Sequence, residues 1–146
     1  MRITMLLIVA GVLLFSCSGT RPAHLGPQEG SLRPCPDRAN CVSTMGSDSR
    51  HAIEPIRYDS TMEQAKQKLI RAISSMKRSR LVTDSGNYLH VEFTSLIFRF
   101  VDDVEFLFND EEKTIHFKSA SRVGYSDLGV NRKRMEEIRL RFHQEL

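Results

Sequence analysis

The chain has 146 residues, 40% of them hydrophobic and 27% charged, with a net charge of +3 and no tryptophan. That is enough apolar material for one domain with one core, and the sequence shows no internal repeat or low-complexity tract. So mild a positive balance gives weak attraction to anionic surfaces and nothing stronger.

The first residues, MRITMLLIVAGVLLFSC, are a different material from the rest. Arg2 supplies a positive start, and Ile3 to Phe15 is apolar except for Thr4 and Gly11. This run falls short of the roughly 20 residues that span a bilayer. It suits the apolar core of a secretion signal. Leu14-Phe15-Ser16-Cys17 resembles a bacterial lipobox, although Phe15 is bulkier than the residue usual there. The resemblance implies a signal peptide over 1–16 and a mature chain that begins at an acylated Cys17. Palmitate-type chains would hold it, each buried methylene contributing about 0.8 kcal/mol. The alternative is a plain signal anchor with a buried thiol. Ser18 stands where an aspartate would direct inner-membrane retention. The expected address is therefore the bacterial envelope, facing the periplasm, with the outer membrane favoured.

Three cysteines are an odd number for an exported chain. With Cys17 acylated, Cys35 and Cys41 in CPDRANC remain, in an oxidising setting that favours a disulfide. A metal or redox site is the competing reading, but the spacing is wrong for CxxC chemistry and no third and fourth ligand is obvious.

Residues 17–34 are rich in Gly, Pro and Ser and read as a flexible tether, leaving 35–146 as one globular domain. The stretch to Tyr58 is turn-rich and predicts an irregular lead-in, with His51, Ile53 and Ile56 touching the core edge. Ser60 and Glu63 then have capping-box spacing. Met62, Ala65, Leu69, Ala72, Ile73 and Met76 form one apolar stripe, with Gln64, Lys66, Lys68, Arg71 and Lys77 facing away.

Four strands follow. Arg80 to Thr83 is short, and a turn at Asp84 to Asn87 leads to Leu89, Val91 and Phe93 on one face. The apolar parity then shifts to Leu96, Phe98 and Phe100, which predicts a bulge or bend near Ser95. Val104, Phe106 and Phe108 mark the third strand; Ile115 and Phe117 mark the fourth. From Asn131 to Leu146 the spacing of Met135, Ile138 and Phe142 predicts a second helix. The expected fold is α+β, in the order α-β-β-β-β-α: an antiparallel sheet of four to five strands with both helices on one face.

CPDRANCVS, FRFVDDVEF and SASRVGYSDLGVNRKR, in that order, resemble domain-of-unknown-function family 1499 over residues 35 to about 142. Members pair a CP…NCV start with a DDVEF-type strand and an SR…G…D…G…NR corner. The resemblance implies envelope proteins in bacteria and plastid proteins in plants, and it carries no catalytic residue across.

The candidate site is that corner. Asp102, Asp103 and Glu105 cluster acid on one strand, as a hard-cation site would. Alternation opposes this, because Asp102 faces away from Asp103 and Glu105. Arg99, Arg122, Arg132 and Arg134 supply matching cations, suited to an internal salt-bridge lattice or to an anion site at the helix start. Gly124 and Gly129 permit unusual backbone angles. Asp127 or Asn131 suits a helix cap, and Tyr125 suits the core edge. Ser43, Ser119, Ser121 and Ser126 lack a nucleophile elbow, and His90 and His116 fall at outward positions that read as solvated.

The expected function is a membrane-anchored, non-enzymatic binding or assembly module. Its partner would be an envelope protein or an anionic small molecule, with no cofactor, no metal and no nucleic acid. The alternative is an envelope hydrolase or metal-dependent enzyme using Asp103, Glu105 and a histidine.

Overall fold

The computed structural model describes residues 18–144, so Cys17, the leader and Leu146 lie outside the described residues. Two short strands come first, β1 (Cys41–Ser43) and β2 (Ile56–Arg57), then helix α1 (Met62–Ser74). Strands β3 (Ser79–Ser85), β4 (Tyr88–Thr94), β5 (Val101–Asn109) and β6 (Thr114–Ser121) follow, and helix α2 (Val130–Gln144) closes the order. The class is α+β, and the order β-β-α-β-β-β-β-α corrects the simpler one expected. The sheet runs β1-β6-β5-β4-β3, all antiparallel, with β2 also paired to β6. The lead-in to α1 thus completes a sheet edge, which strands of three and two residues are too short to announce by periodicity.

Alternation builds the core. Leu89, Val91 and Phe93, then Val104, Phe106 and Phe108, then Ile115 and Phe117 share one face with Ala65, Leu69, Ile73, Met135, Ile138 and Phe142 of the helices. Phe106 and Phe117 are fully buried, each contributing about 1.5–3 kcal/mol. His51, Ile53 and Ile56 are buried as expected. The first helix starts one residue later than Ser60 and Glu63 suggest. Thr61 is its cap, exchanging bonds of 3.2 Å with Gln64, while Glu63 instead accepts from Gln67. Lys66 does not face away: it is buried, ion-paired with Asp84 and bonded to the Gly86 carbonyl at 2.9 Å.

Two expectations need correction in ways that matter for function. The chain does bend just beyond Ser95, but the bulge lies in β3, between Leu81 and Thr83. At Ser95 the chain leaves the sheet, and Leu96, Phe98 and Phe100 stand exposed in the β4–β5 connection instead of entering the core. Second, β5 is buried at eight successive positions, so both faces of the sheet are covered. The cover on the far face is the segment expected to be a loose tether. Arg21 reaches Glu92, Gly26 N–H donates to Glu105, and Leu32 packs on Tyr88 and Leu107. At least Arg21 to Leu32 therefore belong to the folded body.

Candidate functional site

The polar face of the sheet is built by strand pairing. Glu92 of β4 lies opposite Asp103 of β5, His90 opposite Glu105, and Glu105 opposite Lys118 of β6. Arg122, one residue beyond β6, turns its guanidinium across this row. Its Nε donates to Asp103 Oδ2 at 2.8 Å, and its terminal nitrogen donates to Asp103 Oδ1 at 2.7 Å and to Glu92 Oε1 at 2.5 Å. Arg80 reaches the other Glu92 oxygen at 2.5 Å, and Arg21 the first at 2.6 Å. His90 Nε2 lies 2.8 Å from Asp103 Oδ1. Beside this cluster, Glu105 accepts from the Tyr88 hydroxyl at 2.9 Å and from Gly26 N–H at 2.7 Å, with Lys118 Nζ at 3.8 Å.

The electrostatics follow from that geometry. Burial pushes the Glu92 carboxyl up, but Arg80, Arg21 and Arg122 outweigh it and hold it at about 2. Burial likewise works against the Asp103 carboxylate, yet Arg122 and His90 bring it below its ordinary value. Hydrogen bonding to Asp103 drives the Arg122 guanidinium further up. Burial lowers the Lys118 ammonium against the pull of Glu105, and burial and Glu105 raise the Tyr88 phenol. Glu92 and Asp103 are thus held in the charged form by the cations around them, and Glu105 has Lys118 as its nearest cation.

The other expected residues go elsewhere. Asp102 faces the helices, where its carboxylate meets Arg134 at 2.5 Å; Arg134 also lies over the Phe93 ring, 4.9 Å from its centroid. Asn131 is fully buried beside them. Its amide donates to the Asn40 carbonyl, Ser121 Oγ and Asp127 Oδ2, and its oxygen accepts from Ser119 and Arg134. Asp127 caps α2 by accepting from the backbone of Gly129 and Asn131 at 3.0 and 2.7 Å. The lattice is thus two clusters on opposite sides of the sheet. Among the described residues, Arg99 and Tyr125 are exposed and join neither, and Arg132 donates to the Arg50 carbonyl. Tyr125 does not lie on the core edge.

Sequence reasoning missed Glu92, Arg80, Arg21 and Tyr88 as members of the network and placed His90 in solvent. The shared parity of Tyr88, His90 and Glu92 with Asp103 and Glu105 was the available signal; nothing in the tether's composition marks Arg21. His116 is half-buried, within 3.2 Å of Thr44 Oγ1. Ser43, Ser119, Ser121 and Ser126 bond to backbone, arginine or asparagine rather than to a histidine. Cys35 and Cys41 form the expected disulfide, with Cα atoms 5.8 Å apart.

A cation is the remaining chemical option. One donor atom each of His90, Glu92 and Asp103 lies within 4.8 Å of the others. Three arginines already compensate these acids, so a divalent ion would have to displace guanidinium groups from a buried site. The cleft beside Lys118 is lined by His24, Leu32 and Pro34 rather than by His90, Glu92, Asp103 or Glu105.

A family model described as protein of unknown function (DUF1499) matches residues 31–142. The chain belongs to that family. The DUF1499 match holds Arg80, His90, Glu92, Asp103, Glu105 and Arg122, whereas Arg21 and Gly26 precede it. No curated protein and no solved structure matches the chain. Among the described residues, no helix is long and apolar enough to cross a membrane.

Proposed function

We propose that this DUF1499 protein is a membrane-anchored module of the bacterial cell envelope that binds or assembles and does not catalyse. The observation that carries the reading is the saturation of its acids. Catalytic groups need a titratable pair converging in a concave, accessible site. Glu92, Asp103 and Glu105 are instead buried, paired and roofed by residues 21–32. What remains for recognition is the outer rim of the corner, where Tyr125, Arg132 and Lys133 lie outside both clusters. That rim suits an envelope protein or an anionic small molecule.

The anchor is the acyl group on Cys17, with the leader over 1–16 removed and the outer membrane as the favoured site. Metabolic labelling with a fatty-acid probe tests it: wild type takes label and Cys17→Ala loses it. Undiminished label on the variant contradicts the anchor. Crosslinking of the full chain with Tyr125→Ala and Arg132→Ala tests the rim, and unaltered partners in both count against it.

The second reading is an envelope hydrolase or metal-dependent enzyme using Asp103, Glu105 and a histidine, favoured only by the convergence of His90, Glu92 and Asp103. Calorimetric titration with zinc and manganese separates the two. The binding-module reading predicts no saturable heat. A stoichiometric heat lost in His90→Phe supports the enzyme.

A further inference from the structure

The β4–β5 connection spends its apolar residues on solvent. Leu96, Ile97 and Phe98 are 68%, 77% and 66% exposed. Single exposed apolar residues are ordinary, but a contiguous run of them marks a contact surface. This loop is built rather than slack. Thr94 and Val101 are the last sheet pair, Ser95 N–H donates to the Phe100 carbonyl at 2.8 Å, and Phe100 N–H returns to Ser95 Oγ at 2.9 Å. Phe98 stacks on Phe100 with ring centroids 5.5 Å apart, and Arg99 turns the chain at a φ of 58°. The hairpin thus holds Leu96, Ile97 and Phe98 beyond the end of the sheet.

Its surroundings carry the second observation. Leu96 shares a cleft of about 600 Å³ with Val130 at the start of α2, and Val130 and the nearby Leu128 are themselves exposed. The same cleft is lined by Lys77, Arg78 and Lys133, and Arg99 stands in the loop itself. The acids of that cleft, Asp102 and Glu137, are taken by Arg134 and Arg141. Lys77, Arg78, Arg99 and Lys133 have no acid partner among the described residues; Arg78 donates to the Thr94 carbonyl.

We infer that this tip is a membrane-docking element: Leu96, Ile97 and Phe98 enter the headgroup–acyl boundary of an anionic bilayer while the unpaired cations engage its headgroups. Apolar area plus basic charge is the pairing that interfacial binding needs, and each Lys or Arg near an anionic surface adds about 1 kcal/mol. An apolar protein partner would leave without a purpose four cations that have no acid partner among the described residues, whereas anionic lipid uses both features at once. The contact would lay the folded body against the bilayer. It rests on the chain's residing at a membrane but not on acylation of Cys17, which the labelling experiment tests separately.

The absence of tryptophan makes the test direct. Full-length chains carrying Ile97→Trp, or Phe98→Trp as a second reporter, are reconstituted into vesicles of phosphatidylglycerol with phosphatidylethanolamine, and into pure phosphatidylcholine. The docking element predicts a blue-shifted emission and quenching by bromine-labelled acyl chains in the anionic vesicles. Both weaken in phosphatidylcholine and in the Lys77→Gln, Arg78→Gln, Lys133→Gln background. A control reporter at the exposed Leu140 on α2 stays water-accessible. Reporters at 97 and 98 that remain as water-accessible as the one at 140 overturn the inference. So does a blue shift that follows protein concentration without lipid, which would make the occupant a second copy of the chain.

Discussion

Arg122 and Asp103 face each other in a two-pronged contact, 2.8 and 2.7 Å, with both side chains buried. The arginine follows the last strand and the aspartate sits in the middle of the sheet, so the pair ties the corner to β5. Removing one member of a buried pair costs more than the pair contributes, because the survivor is left uncompensated. Arg122→Met is expected to destabilise the fold by about 3–5 kcal/mol. Urea unfolding at neutral pH checks this, and a change under 1 kcal/mol would refute it.

Acid should weaken the protein through Glu92. Its folded pKa of about 2 lies below the ordinary 4.5. A depressed carboxyl contributes stability that is full above the unfolded value and disappears as pH falls through the folded one. The loss should therefore fall between about pH 4.5 and pH 2. Glu92→Gln should flatten that limb of the stability curve while lowering the neutral plateau. His51 acts in the opposite sense. Its bond to Asp48 raises its pKa above 6.5, so its contribution is full below that value and is lost as pH rises through the folded pKa. An NMR titration should find His51 retaining its proton to higher pH than an unperturbed histidine.

The Asp127 cap should be worth about 1 kcal/mol, the usual cost of replacing a capping carboxylate by alanine. Asp127→Ala should lower the unfolding midpoint and speed amide exchange at Gly129 and Asn131, the two groups it caps. Exchange unchanged at those sites would show the cap to be idle.

Cys35→Ser should cost about 2 kcal/mol, since the bridge closes only a short loop in the unfolded chain. The loss should match that of the wild-type chain under reducing conditions, read as a common melting temperature. A variant as stable as the oxidised protein would mean that the bridge does not constrain the unfolded state.

Some of this was legible in the residues and some was not, for physical reasons. Period-two alternation at Leu89, Val91 and Phe93 and at Val104, Phe106 and Phe108 marked the core face without ambiguity. The same alternation separated Asp102 from Asp103, and they do lie in different clusters. It could not tell whether the far face met water. That depends on Arg21, Gly26 and Leu32, in a segment whose turn-formers carry no period. Buried His90 was therefore read as solvated. Leu96, Phe98 and Phe100 kept an apolar alternation but lie in a loop, because apolar patterning reports a demand for burial and not what supplies it. Arg99, Tyr125 and Arg132 sit where the chain turns, and there side-chain direction follows backbone angles that spacing does not reveal.

Under the proposed reading, the buried charges brace the fold and perform no reaction. Catalytic groups are commonly held at a cost to stability, so neutralising one tends to stabilise the protein. A structural brace does the reverse. The direct measurement is urea unfolding of Asp103→Asn at neutral pH. The brace predicts a lower midpoint with an unchanged denaturant slope, Arg122 having lost one of its two carboxylate partners. A midpoint equal to or above that of the wild type would contradict it and favour the enzyme reading built on Asp103, Glu105 and a histidine.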